Sequence, residues 1–179
     1  MSASDTHAFP LPARGYFQAE MNTIYLKRND REEPTLTERD IHLLTHEKTH
    51  SLSARALPPE YAVMEAENTP GFQSGLMRKE FDGTTIDYTH LNEGVTEFLA
   101  QKISDEMHAT YDKSAFYDEE VQSVQLLLDT IVGDHASPEA TKWLLHHYCS
   151  ITGLDSLKQE MEEKVGPNGL ALIEILSTK

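Results

Sequence analysis

A mixed α+β architecture is what this sequence predicts, and three observations point to it. Asn22-Thr23-Ile24-Tyr25-Leu26-Lys27 alternates in character and is rich in β-branched and aromatic residues, which reads as a strand. A helix-start signature follows at Thr35-Leu36-Thr37-Glu38. From Tyr111 onward, apolar residues recur at helical spacing between clear boundary residues. A small antiparallel sheet and one helix are thus expected ahead of a mostly helical C-terminal part. The 179 residues fit one domain over 1–179, long enough to bury a substantial core.

In order, Met1 to Gly15 carries Pro10, Pro12 and small polar residues and reads as an extended or mobile arm. The strand over 22–27 comes next, then a polar turn from Asn29 to Pro34. Thr35 as N-cap and Glu38 three residues later form a capping box, so a helix is expected from there to about Ser53. Ile41, Leu44 and Leu52 are its expected core contacts, and Pro58-Pro59 ends any continuation. Gly71, Gly75 and Asp82-Gly83 punctuate the next segment; Asp82-Gly83, between 77–81 and 84–88, signals a hairpin that either shapes a pocket or pads the sheet.

A second long helix is expected from about Leu91 to Met107, with Leu91, Val95, Phe98, Leu99 and Ile103 as its apolar stripe. A third runs from Asp118 to Val132 and stops at Gly133. Ser137-Pro138 opens a fourth, which contains Trp143, Leu144, Leu145 and Tyr148 and is expected to end at Gly153. Asp155 to Val165 is amphipathic and meets Gly166-Pro167; Leu170 to Leu176 is apolar enough to dock on the body or on a partner.

Composition narrows the function classes. A net charge of −15 argues against nucleic acid, whose phosphates require concentrated Lys and Arg. There is no apolar run of membrane-spanning length, and the first residues lack the basic and apolar regions of a signal peptide. Cys149 is the single cysteine, so no internal disulfide and no Cys-x-x-Cys knuckle can form, and a buried, inert thiol is expected. A cytoplasmic location is the expectation, with a secreted protein whose leader was removed as the alternative.

The chemistry concentrates in His46-Glu47-Lys48-Thr49-His50. Residues four apart on a helix share a face, so His46 and His50 can direct two imidazoles at one Zn²⁺. Glu47 sits one position round, where a carboxylate can take a proton from the attacking water and pass it to a leaving group. A catalytic zinc site needs a third protein ligand, and His90-Leu91-Asn92-Glu93-Gly94-Val95-Thr96-Glu97 offers carboxylates at i, i+4 on a later helix. His42 lies one turn before His46, but a fourth ligand would close the site, so a structural or exposed role is expected for it.

His-Glu-x-x-His followed by Asn-Glu-Gly-x-x-Glu on a later helix resembles the gluzincin metallopeptidases of the thermolysin and aminopeptidase type. The resemblance covers two segments of about ten residues each, and their order. It implies a zincin-like fold, one Zn²⁺ per chain, His46, His50 and Glu93 as metal ligands, Glu47 as general base and Glu97 as a carboxylate that orients a ligating His. Asn92 matches the Asn before the third ligand and is placed in the shell behind the metal. Gly94 fits the aminopeptidase type, but no Gly-x-Met-x-Asn motif precedes it, which disfavours exopeptidase activity. Ser53 stands where the three-His metzincins require Gly, and that class is excluded.

By the same resemblance the Thr23–Lys27 strand could receive substrate backbone by strand addition, an ordinary sheet role being equally open. An oxyanion donor is also needed. Tyr117, Tyr111, His146 and His147 are candidates, with Tyr117 preferred because it precedes a helix expected to pack on the ligand helices. The expected function is a zinc-dependent endopeptidase acting on peptides or one specific protein, or an effector protease with a single host target. The alternative from another class is a regulatory or partner-binding zincin-like module without general turnover.

Overall fold

The computed structural model describes residues 15–18, 23–26, 36–56, 72–79, 85–86, 88–108, 117–150 and 152–177. Strands β1 (Gly15–Gln18) and β2 (Thr23–Leu26) form an antiparallel pair in which Tyr16 faces Tyr25 and Phe17 faces Ile24. The Tyr16 and Tyr25 rings stack with centroids 4.8 Å apart. Only the second strand was expected; Gly15 opens β1 where the end of an arm was anticipated. Four residues are too few for a period-two pattern to stand out.

Helix α1 (Glu38–Ser53) follows. Its cap is Thr37 with Asp40, two residues beyond the expected Thr35 and Glu38, and Thr35 itself lies outside the described residues. The Thr37 hydroxyl accepts from the Asp40 amide at 3.1 Å, and the Asp40 carboxylate accepts from the Thr37 amide at 2.9 Å. Asp is shorter than Glu but closes the same reciprocal box.

The helix is turned opposite to expectation. Ile41, Leu44 and Leu52 are exposed, at 40%, 36% and 51%, while His42, His46, Glu47, Thr49, His50 and Ser53 are buried. Apolar periodicity chooses a helix's inner face only when apolar area dominates its docking, and on α1 hydrogen-bonding residues occupy that face.

Short strands β3 (Arg55–Ala56), β4 (Phe72–Ser74), β5 (Met77–Lys79) and β6 (Thr85–Ile86) make a second antiparallel sheet in that order. Arg78 pairs with Ile86 and Lys79 with Thr85, so strands flank Asp82-Gly83 as expected; the turn itself lies outside the described residues. The tighter hairpin is between β4 and β5, where Gly75 has φ of +58°. A Cβ there would be strained and would strike both the Asn92 carboxamide and the Tyr148 ring.

Helix α2 (Thr89–Glu106) is the central element and packs on α1 and on four-turn α3 (Asp118–Ile131). Leu91, Val95, Phe98 and Leu99 meet Val121, Val124, Leu127 and Leu128 in one buried cluster; Ile103, the last of the expected stripe, is half-buried. Gly94 lets the two helices approach: a Cβ there would run into the Glu120 carbonyl oxygen.

Helices α4 (Pro138–Cys149), α5 (Gly153–Val165) and α6 (Gly169–Ser177) complete the core through Leu144, Tyr148, Leu154, Leu157, Met161, Ile173 and Leu176. Ser137 caps α4 by accepting from the Ala140 amide at 3.1 Å, as its Ser-Pro start indicated. Gly153 does not end α4 but begins α5; the His147 carbonyl lies where its Cβ would be. Cys149 is half-buried against the core, less enclosed than expected. The terminal apolar stretch docks on the body, with α6 against α2 and α5. No helix among the described residues is long and apolar enough to cross a membrane.

Candidate metal centre

Two helices build the site. On α1, His46 and His50 lie one turn apart with ring centroids 5.0 Å from each other. On α2, Glu93 reaches across to both: its Oε2 is 3.2 Å from His46 Nε2 and 3.3 Å from His50 Nε2. The three donor atoms lie within 4.8 Å of one another. Tetrahedral neighbours around a zinc ion with bonds of about 2.05 Å stand about 3.3 Å apart, which the two His–Glu separations match.

Proton bookkeeping at His46 points the same way. Its Nδ1 is 2.9 Å from Glu97 Oε2, and a carboxylate can only accept, so Nδ1 carries the hydrogen. In a neutral ring Nε2 then presents a lone pair, directly toward Glu93 Oε2. Two acceptors face each other, and a cation must lie between them: an extra proton, or a metal ion. Burial alone would lower the His46 pKa, but Glu93 and Glu97 together raise it to about 9. Those same bonds, with His50, overcome the upward push of burial on Glu93 and hold it well below the ordinary carboxylate range.

Glu97 holds a second histidine too. Its Oε1 accepts from His42 Nε2 at 2.8 Å and from Gln101 at 3.0 Å. His42 is thus a buried structural group, which agrees with one of its two expected roles. His50 is held differently: its Nδ1 lies 3.2 Å from Thr96 Oγ1 and 3.4 Å from the Tyr148 hydroxyl.

Glu47 is buried beside these groups, and burial raises its pKa above the ordinary value. Its carboxylate accepts the backbone N–H of Phe17 on β1. Gly15 leaves room for this approach; a Cβ there would stand 3.1 Å from Glu47 Oε1 and 3.0 Å from Leu43.

Tyr117 arrives at the head of α3 with φ of +58°, a left-handed conformation that a non-glycine residue adopts at a cost. Its ring stacks on His46 at 5.1 Å with planes 9° apart, and its hydroxyl donates to Glu93. Burial and the nearby carboxylates push the phenol pKa up, so it remains a donor.

Of the other oxyanion candidates, His146 is exposed, and His147 turns away to Ser156 at 3.0 Å and Glu160 at 3.0 Å. Tyr111 lies outside the described residues. The Asn92 side chain does not touch a ligand; its Oδ1 accepts the Leu76 amide at 2.8 Å and pins the β4–β5 turn. Its backbone carbonyl accepts from Thr96 at 2.8 Å, and through Thr96 it supports His50.

Sequence reasoning missed Thr96 and Tyr148. Thr96, next to Glu97 and one turn after Asn92, carried a readable signal, because that position must face the same neighbour. Tyr148 carried none: it is 98 residues beyond His50 and looks like any apolar core position. Asp129, Asp134 and His135 also converge within 4.8 Å, but Asp129 and Asp134 are exposed and hydrogen bonds from His135 to Asp129 account for much of the grouping.

No family model, curated protein or solved structure matches the chain.

Proposed function

We propose that this protein is a zinc-dependent metallopeptidase of the gluzincin type, and an endopeptidase. The observation that carries the reading is the convergence of His46 Nε2, His50 Nε2 and Glu93 Oε2 at the spacing zinc requires. His46, His50 and Glu93 would hold the ion and leave a fourth position open. Bound there, zinc supplies Lewis acidity toward a carbonyl and makes water more acidic.

The chain's own residues supply the remainder. Glu47 takes the proton of the attacking water and returns it to the amine leaving group, and its upward-shifted pKa suits both transfers. The Tyr117 hydroxyl, at the rim beside Glu93, donates to the oxygen on which negative charge develops. Glu97 and Thr96 keep the two imidazoles in the Nδ1–H tautomer that leaves each Nε2 free for the ion. Because Phe17 directs its N–H at Glu47, we assign substrate strand addition to β1 instead of the Thr23–Lys27 stretch. The substrate is a peptide or protein, and the lone Cys149 fits a reducing cytoplasmic compartment.

Metal content of protein purified without added metal, with Glu93→Ala alongside, tests the centre. About one zinc per chain, largely lost in the variant, is expected. Cleavage of a peptide library by wild type and by Glu47→Ala tests the chemistry. Turnover that disappears while zinc remains supports a peptidase; a wild type that binds zinc and cleaves nothing favours a partner-binding module.

A further inference from the structure

The two ligand histidines are supported by unlike groups, and the difference is systematic. His46 leans on the carboxylate Glu97, whereas His50 leans on two neutral hydroxyls, those of Thr96 and Tyr148. Thr96 and Glu97 are consecutive on α2, so one step of that helix serves both imidazoles.

The hydroxyl pair has room to accept a hydrogen from His50. Thr96 donates to the Asn92 carbonyl at 2.8 Å, which leaves its two lone pairs as acceptors. One can receive His50 Nδ1–H at 3.2 Å, and the other lies against the Tyr148 hydroxyl, which also bonds Ser53. With Nδ1 donating to Thr96, the ring presents an unprotonated Nε2 toward Glu93, the tautomer that a zinc ligand requires. The Tyr148 ring is held in turn by the β4–β5 turn, where Gly75 has no side chain to collide with it. Both Thr96 and Tyr148 are fully buried, where an unmet hydroxyl would be costly.

Charge gives a reason for the asymmetry. With Glu93 and Glu97 ionised, a divalent cation brings the centre to neutrality, and Glu47 adds one more negative charge in a buried place. A fourth carboxylate, behind His50, would leave a larger uncompensated charge.

We propose that Thr96 and Tyr148 are positioning residues that fix the tautomer and ring plane of His50, so that α4 controls how tightly the α1–α2 centre holds zinc. This rests on the metal-centre reading above and adds a role for a helix that contributes no ligand.

The test compares wild type with Thr96→Val, Thr96→Ser and Tyr148→Phe. Zinc affinity is read by competition with a chromophoric chelator, geometry by the visible absorption of the cobalt-loaded protein, and folding by thermal melting of the metal-free form. Thr96→Val and Tyr148→Phe should each weaken zinc by ~10-fold or more and alter the cobalt bands. Thr96→Ser, which keeps the hydroxyl, should restore both affinity and bands. Should Tyr148→Phe fail to fold, the Thr96 pair decides alone. Wild-type affinity and unchanged bands in Thr96→Val overturn the positioning role while leaving the centre standing. Wild-type protein that takes up neither zinc nor cobalt overturns the centre, and the positioning role with it.

Discussion

Glu97 joins His42 to His46, accepting from His42 Nε2 at 2.8 Å through one oxygen and from His46 Nδ1 at 2.9 Å through the other. The two histidines are one turn apart on α1, so a single carboxylate from α2 spans a full turn of its neighbour. It ties a proposed metal ligand to a residue outside the proposed site.

Replacing Glu97 by Gln keeps one acceptor oxygen and puts an amide N–H₂ against the other imidazole. Zinc affinity should fall by ~10–100-fold, the usual cost of losing a carboxylate behind a ligating histidine. His42→Ala removes only the far partner and should weaken zinc less. Chelator competition on the two variants, side by side, checks the order.

Tyr117→Phe retains the ring that stacks on His46 and removes only the donor. If the hydroxyl serves the developing oxyanion, kcat should drop by about 10²-fold with KM little changed. Zinc content should stay at the wild-type level. A kcat equal to wild type would return the oxyanion role to another group.

Stability of the metal-free protein should depend on pH at both ends. Burial would raise the Glu97 pKa, but hydrogen bonds from His42, His46 and Gln101 outweigh it and hold it at about 2, below its ordinary 4.5. That contribution is complete above pH 4.5 and disappears as pH falls through about 2. His46 is raised from 6.5 to about 9, so its contribution is complete below pH 6.5 and disappears as pH climbs through about 9. From these two groups the maximum lies between 4.5 and 6.5. Zinc replaces the extra proton on His46, so loading the metal should abolish the alkaline limb. Melting temperatures across pH, with and without zinc, give the measurement.

Gly94→Ala places a methyl group against the Glu120 carbonyl, which is backbone and cannot swing aside. A loss of roughly 3 kcal/mol in denaturant unfolding is expected, as for other overpacked contacts. Because α2 carries Glu93 and α3 begins beside Tyr117, the same change should also weaken zinc.

Much of this was legible in the chain before any coordinates. The His46, Glu47, His50 and Glu93 constellation depends on helical spacing and on the chemistry of each side chain, both of which are local. The bounds of α2 and α3 and the end of α5 followed from apolar periodicity and from Gly133 and Gly166. What failed had tertiary causes. Leu44 and Leu52 obey helical spacing, yet face water because the polar face of α1 found better partners. Gly153 looked like a terminator, but its missing side chain serves the close approach of the His147 carbonyl. Asn92 matched a motif position, and its carboxamide was spent on the Leu76 amide. The choice of Tyr117 among four oxyanion candidates also needed the fold, which brings its ring onto His46.

The reversed orientation of α1 bears on how this protein can change over generations. A helix docked through apolar area tolerates many exchanges of one oily residue for another. One docked through His42, His46, His50 and their partners tolerates few, because each bond demands a particular atom in a particular direction. Single changes at these histidines therefore also loosen a wall of the domain, whatever they do to metal binding. A lineage that lost any activity at this site could still retain the histidines, simply to keep the helix in place.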